Sequence, residues 1–191
     1  MNLKKALSYI AFGFLFTLVN VNITMDDASI NIVPNFVGWI LFFLAMYPLG
    51  SYAEGKGYLK WLALLLAGVG CVTWFASILS PELDLSGWNM IPNLLAAFYM
   101  FVLFGILEKI ARDYSSPLES RIHTLKILNL ALYLGLVGLG LLSTMGKGME
   151  LLAMVIVLVG ITALIAAIVT CVTLFKLRNE IRQKTADLET Y

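Results

Sequence analysis

Asn31-Ile32-Val33-Pro34-Asn35 recurs as Asn89-Met90-Ile91-Pro92-Asn93, 58 positions further along a chain of 191 residues. The match runs on beyond the pentapeptide without a gap. At the same offset Asp26 falls on Asp84, Phe43 on Phe101 and Leu49 on Leu107. A register that holds through an acidic connection, an Asn/Pro segment and a long apolar run is the mark of an internal duplication.

The context of both copies is apolar. Hydrophobic residues make up 60% of the chain, charged residues 13%, and mean hydropathy is +0.88, which excludes an ordinary soluble domain. A helix needs about 20 predominantly apolar residues to cross a hydrocarbon core of about 30 Å. Six runs qualify: 6–23, 32–49, 59–79, 90–107, 125–145 and 151–175. They are continuous rather than alternating, so each satisfies its backbone internally as a helix and not as part of a barrel. The expected fold is an all-α integral membrane protein of six transmembrane helices arranged as hairpins. An offset of 58 carries spans one and two onto spans three and four in the same orientation, which is a parallel repeat about an axis along the membrane normal. Repeat one covers about 6–58, repeat two about 64–116, and a divergent third hairpin about 117–175, where Lys147-Gly148-Met149-Glu150-Leu151 stands in place of the motif.

Charge fixes the expected orientation. Lys4, Lys5, Lys56, Lys60, Lys109, Arg112, Arg121, Lys126, Lys176, Arg178, Arg182 and Lys184 all lie on the side of the termini, and of the 13 basic residues only Lys147 lies opposite. The positive-inside rule therefore places both termini in the cytoplasm and the connections carrying Asp26, Asp27, Glu82 and Asp84 outside. The segment Met1 to Lys5 and the run after it imitate a signal peptide, but no small-residue cleavage site follows, and it reads as an uncleaved first span. Ser116-Pro117-Leu118-Glu119 is a capping box with proline at the first helical position, so helix five is expected to begin before its membrane run. The tail 176–191 is basic, with Leu177, Ile181 and Leu188 at helical spacing, and reads either as a helix lying on the membrane surface or as a stop-transfer tail.

The repeated motif has two readings. Asn31 and Asn89 can cap helices whose first turns hold Pro34 and Pro92. Alternatively Asn35 and Asn93, one turn deeper, face the bundle interior with Asn20 and Asn22, and line a polar pocket under the outer surface with Asp26 and Asp84 at its rim. Polar groups in a membrane interior are costly unpaired, so several from different spans imply mutual pairing or a ligand. The candidate ligand-binding set is therefore Asn20, Asn22, Asn31, Asn35, Asn89, Asn93, Asp26 and Asp84.

Enzymatic and metal chemistry find no support. No zinc-protease, Walker or nucleophile-elbow pattern occurs, and with His123 the single histidine no multi-histidine metal site can form within one chain. Cys71 and Cys171 sit in apolar runs and suggest neither a disulfide framework nor a metal site. No cofactor is expected, and the lack of midplane Asp, Glu, Lys or Arg disfavours ion-coupled transport. On span five Asn129, Tyr133, Gly140 and Thr144 share one face, read as a packing seam or a substrate path, while Ala131, Gly135, Gly138, Ala163 and Ala167 read as packing contacts. The expected partners are the lipid bilayer and other membrane subunits; segregated charge gives no case for nucleic acid.

The stretch from Asn31 to Trp39 resembles an N-I-[LV]-P-[DN]-F-[IV]-G-[YW] signature carried by small multi-span membrane proteins of Gram-positive bacteria. The likeness implies a bacterial plasma-membrane protein and implies no activity. Two function classes follow from the residues: a unit that binds or translocates a small or amphiphilic molecule, or an accessory subunit of a larger membrane complex. Convergence of the asparagines on a cavity favours the first, and their pairing in a closed core favours the second.

Overall fold

Continuous apolar runs without a polar stripe give helices that are apolar on most faces, and such helices belong in lipid. The computed structural model describes residues 3–18, 22–25, 28–31, 34–79, 90–144 and 149–189. Six helices are present there: α1 (Leu3–Leu18), α2 (Phe36–Leu49), α3 (Tyr58–Leu79), α4 (Met90–Tyr114), α5 (Ser116–Thr144) and α6 (Met149–Glu189). The last four are long and apolar enough to cross a membrane. Their outward faces carry large apolar side chains, such as Met154, Val157 and Leu158 on α6 and Leu65 and Val72 on α3, which suits a lipid environment.

Each helix packs on its neighbours in the chain, and α6 closes back onto α1, with α4 also touching α6. Helix α4 is the centre. In its most apolar window 56% of residues are buried, against 17% for α3 and α5 and 22% for α6. An aromatic cluster ties α4 to the first hairpin. Phe14 meets Phe42 and Phe104 at ring distances of 5.4 and 5.5 Å, and Trp39 meets Tyr99 at 5.4 Å. Helices α1 and α2 cross closely at two glycines: a Cβ on Gly38 would lie 2.6 Å from the Gly13 carbonyl oxygen. Missing side chains there let two backbones approach.

Burial relates α2 to α4 at the offset of the repeated motif. Gly38, Trp39, Phe42, Ala45, Met46 and Leu49 are the buried residues of α2. Their positions 58 further on, Ala96, Ala97, Met100, Leu103, Phe104 and Leu107, are all buried as well. Helices α1 and α3 do not correspond in this way. Leu7, buried on α1, maps onto exposed Leu65, because α3 packs chiefly on α2 at the edge of the bundle.

Several expectations are revised. The chain is not wholly helical: β1 (Asn22–Met25) and β2 (Ala28–Asn31) form an antiparallel hairpin in the first acidic connection, pairing Asn22 with Asn31 and Ile23 with Ile30. β-branched and Asn residues are weak helix formers, and a two-residue connection suits a hairpin. Strand β1 takes Asn22 and Ile23 from the run assigned to the first span, and the described helices α1 and α2 are 16 and 14 residues long. Asn31 ends a strand and caps no helix. Pro34 precedes α2, its carbonyl accepting from the Val37 amide at 3.1 Å. In the second copy Pro92 does lie in the first turn of α4.

At the opposite end, α5 begins at Ser116 with Pro117 in its first turn, as the capping box predicts. The tail continues α6 as a helix. Helix α6 runs unbroken for 41 residues, and Leu177 and Ile181 are buried in the same core as Ile110, Ala111 and Leu118. The small residues of span five do not pack closely, since a Cβ on Gly135 or Gly138 would meet nothing within 4 Å.

Candidate functional site

Asn35 and Asn93 hold equivalent places in the repeated motif, and the bundle brings both to one cavity. Asn35 precedes α2 with a helical backbone, φ −61° and ψ −21°, and its side chain makes no capping hydrogen bond. Asn93 follows Pro92 in the first turn of α4. Both line a space of about 300 Å³ together with Thr17, Trp39, Ala96, Asn129, Leu132, Tyr133, Leu136 and Ala163. Five helices contribute: α1, α2, α4, α5 and α6. The volume falls at the lower end of the range for small-molecule sites.

The polar groups come from separate elements. Asn129 on α5 is buried, and its Nδ2 donates to the Leu125 carbonyl at 2.9 Å. Thr17 Oγ1 donates within its own helix, 3.0 Å from the Gly13 carbonyl oxygen and 3.2 Å from that of Phe14. Other hydroxyls within the apolar runs lie outside the cavity and bond their own helices: Thr73 to Gly70, Ser77 to Trp74, Thr162 to Leu158 and Thr170 to Ala166. Trp39 forms part of the wall, its indole held by edge contacts with Phe42 and Tyr99. Among the described residues, the Tyr133 phenol is the one ionisable group that lines the cavity.

The charged groups gather at the far end of α4 and α5. Glu108 lies 3.0 Å from His123 Nδ1 and 3.3 Å from Lys126 Nζ, and Arg112 bonds Glu119 at 2.8 Å. These pairs join α4 and α5 across the turn at Ser115; Arg112–Glu119 and His123–Glu108 each have an exposed partner and contribute little, whereas Lys126–Glu108 is partly buried. Tyr52, in the 3₁₀ turn Gly50–Ala53 after α2, sits beside Asp113. Burial and then the hydrogen bond to that carboxylate hold its phenol above the usual tyrosine range. Among the described residues no group of three His, Cys, Asp or Glu is placed to hold a metal.

Of the eight candidate residues, Asn35 and Asn93 meet at the cavity. Asn22 and Asn31 face each other across the hairpin as backbone partners. Asn20, Asn89, Asp26 and Asp84 lie outside the described residues. Thr17, Trp39, Asn129 and Tyr133 were not in the candidate set. The shared face of Asn129 and Tyr133 was a readable signal, whereas Trp39, 8% exposed, carried none beyond its place in the 31–39 signature. No family model, curated protein or solved structure matches the chain.

Proposed function

We propose that this protein is a non-enzymatic six-span plasma-membrane protein, built on a duplicated hairpin, that binds or translocates a small or amphiphilic molecule through an externally facing Asn-lined pocket. The observation that carries the reading is the meeting of Asn35, Asn93 and Asn129, from three different helices, around one cavity. Carboxamides held in a closed core would pair with each other and serve an accessory subunit instead. Here Asn35 makes no cap bond, and Asn129 donates to the Leu125 carbonyl of its own helix. The buried positions shared by α2 and α4 support the duplication, and the distribution of Lys and Arg supports cytoplasmic termini. The likeness of residues 31–39 to a Gram-positive membrane-protein signature supports the plasma membrane.

Translocation without midplane charges would be facilitated rather than ion-driven.

A thermal-shift screen of the purified protein against lipids and metabolites tests the reading, run beside an Asn35→Ala, Asn93→Ala double variant. A ligand that binds only the native state raises the wild-type midpoint by mass action, and the folded double variant does not respond. If no compound moves the wild type and the variant only melts earlier, the asparagines are structural and the binding reading falls.

A further inference from the structure

We infer that the cavity opens sideways into the bilayer between residues 130–139 of α5 and 154–165 of α6, and that its ligand is an amphiphile whose hydrocarbon chain lies in that opening; this rests on the binding reading above.

The packing of both helices changes at the level of the cavity. On α5, Leu125 and Asn129 are buried. Leu132 and Leu136 follow Asn129 on the same face, three and seven residues further on, and both line the cavity. Leu136 is 42% exposed, and no described residue from 130 to 139 is buried. On α6, Ala166, Ala167 and Thr170 are buried, and Ala163 on the same face lines the cavity. About one and two turns beyond Ala163, at Gly160 and Ile156, that face is open. A Cβ on Gly160 would meet nothing within 4 Å, and Ile156 is 44% exposed. No described residue from 154 to 165 is buried. The faces that close the core elsewhere on α5 and α6 thus run on past the cavity as an exposed apolar groove that starts from it.

Polarity divides the cavity along the same line. Thr17, Asn35 and Asn93 come from α1, α2 and α4, and Asn129 sits where α5 is still buried. The α5 and α6 side is Leu132, Leu136 and Ala163, with Tyr133 its one polar member among the described residues. An occupant with a hydrogen-bonding head and a hydrocarbon chain matches both parts. The head lies among the carboxamides, and the chain follows Leu136, Ala163, Gly160 and Ile156. Around the groove Leu134, Val157, Leu158 and Ile161 are exposed, so the chain passes into lipid without crossing polar surface. A helix of a second copy or of another subunit fits less well. It would cover the groove but bring no polar group to Asn35 and Asn93, and polar groups left unpaired in an apolar interior are costly.

The test uses the full chain in phosphatidylcholine nanodiscs, with Trp61, Trp74 and Trp88 replaced by phenylalanine. Trp39, which lines the cavity and is 8% exposed, is then the single tryptophan. Bromine quenches indole fluorescence on close approach. The probes are dibromostearic acid, its glycerol monoester and dibromostearoyl phosphatidylcholine, each against its unbrominated counterpart. Gly160→Leu fills the groove with an aliphatic side chain. Gly138→Leu, half a turn round α5 from Asn129 and with equally open space, is the control. Circular dichroism checks that each variant is folded. Quenching of Trp39 that Gly138→Leu keeps, and that Gly160→Leu and the Asn35→Ala, Asn93→Ala pair lose, supports the inference; the probe that quenches identifies a single-chain amphiphile or the bilayer phospholipid as the source. Quenching that Gly160→Leu leaves unchanged overturns the entrance between α5 and α6. Quenching that the Asn pair leaves unchanged overturns the placement of the head group. No quenching by any probe overturns the inference, as does a dimer in detergent that Gly160→Leu dissociates. The binding reading is decided separately: a water-soluble compound that raises the unfolding midpoint of wild type and Gly160→Leu alike leaves the pocket standing with an aqueous entrance.

Discussion

Gly38→Ala adds one methyl group where α1 and α2 cross closely. The new Cβ would lie 2.5 Å from Thr17 Cγ2, 2.6 Å from the Gly13 carbonyl oxygen and 3.0 Å from the Thr17 amide nitrogen. Two of these are backbone atoms of α1, so no rotamer change relieves them. Restoring an ordinary 3.4 Å contact to the Gly13 oxygen requires moving α1 by about 0.8 Å, in an interior packed to nearly crystalline density. Overpacking of this kind costs about 1 to 3 kcal/mol. Gly135→Ala is the control, because its Cβ meets nothing within 4 Å and alanine is favoured over glycine in a helix by about 0.5 to 1 kcal/mol. Reversible unfolding in mixed micelles with increasing dodecyl sulfate, followed by circular dichroism, gives both values. Gly38→Ala should unfold at lower dodecyl sulfate than wild type and Gly135→Ala at equal or higher. Adding Thr17→Ser to Gly38→Ala should recover part of the loss, since it removes the Cγ2 contact and leaves the carbonyl. A Gly38→Ala protein as stable as wild type would refute the close crossing of α1 and α2.

The other expected outcomes concern the two ends of the bundle. Tyr52 has a raised phenol pKa, so it stays protonated in the folded state when the unfolded chain already ionises. Its contribution is full below the ordinary tyrosine value near 10 and is lost as pH rises beyond it. The stability gap between wild type and Tyr52→Phe should therefore narrow in melts from pH 8 to 11.5; a constant gap would remove the Asp113 contact from the account. Leu177→Ala, at a fully buried site on the extension of α6, should lower stability by about 2 to 5 kcal/mol. Met154→Ala, at a site 73% exposed, should change it little, and equal effects would contradict the packed tail. Asn129→Leu should cost at most about 1 kcal/mol, the net value of the bond to Leu125, yet abolish any ligand-induced stabilisation. Retained stabilisation would take Asn129 out of the site.

Composition and continuous apolar runs were sufficient to read the helical, membrane-compatible class, and the Ser116-Pro117 signal placed the start of α5. The hairpin was not legible. Asn20, Asn22 and Thr24 interrupt the end of the first apolar run, but only the cross-strand pairing of Asn22 with Asn31 separates strand from frayed helix. Asn31 and Pro34 read as a helix start because both are common there, but the strand takes Asn31 and moves the helix to Phe36. Half of the site was readable, since equivalence of Asn35 and Asn93 follows from the offset. Trp39 and Thr17 depend on the rotation of α1 and α2 about the Gly13–Gly38 crossing, which periodicity does not encode. Leu177 and Ile181 showed a helical spacing, but which surface they cover follows from how far α4 and α5 project, a tertiary property.

Cysteine accessibility tests the central claim most directly. With Cys71 and Cys171 replaced by alanine, single cysteines at Asn35, Asn93, Phe98 and Ser120 are exposed in intact cells to an impermeant thiol reagent. Cysteines at positions 35 and 93 should label from outside and be protected when a stabilising ligand is present. Those at lipid-facing Phe98 and at Ser120, beside the far-end ion pairs, should not. Labelling at 120 with none at 35 and 93 would contradict an externally open asparagine pocket.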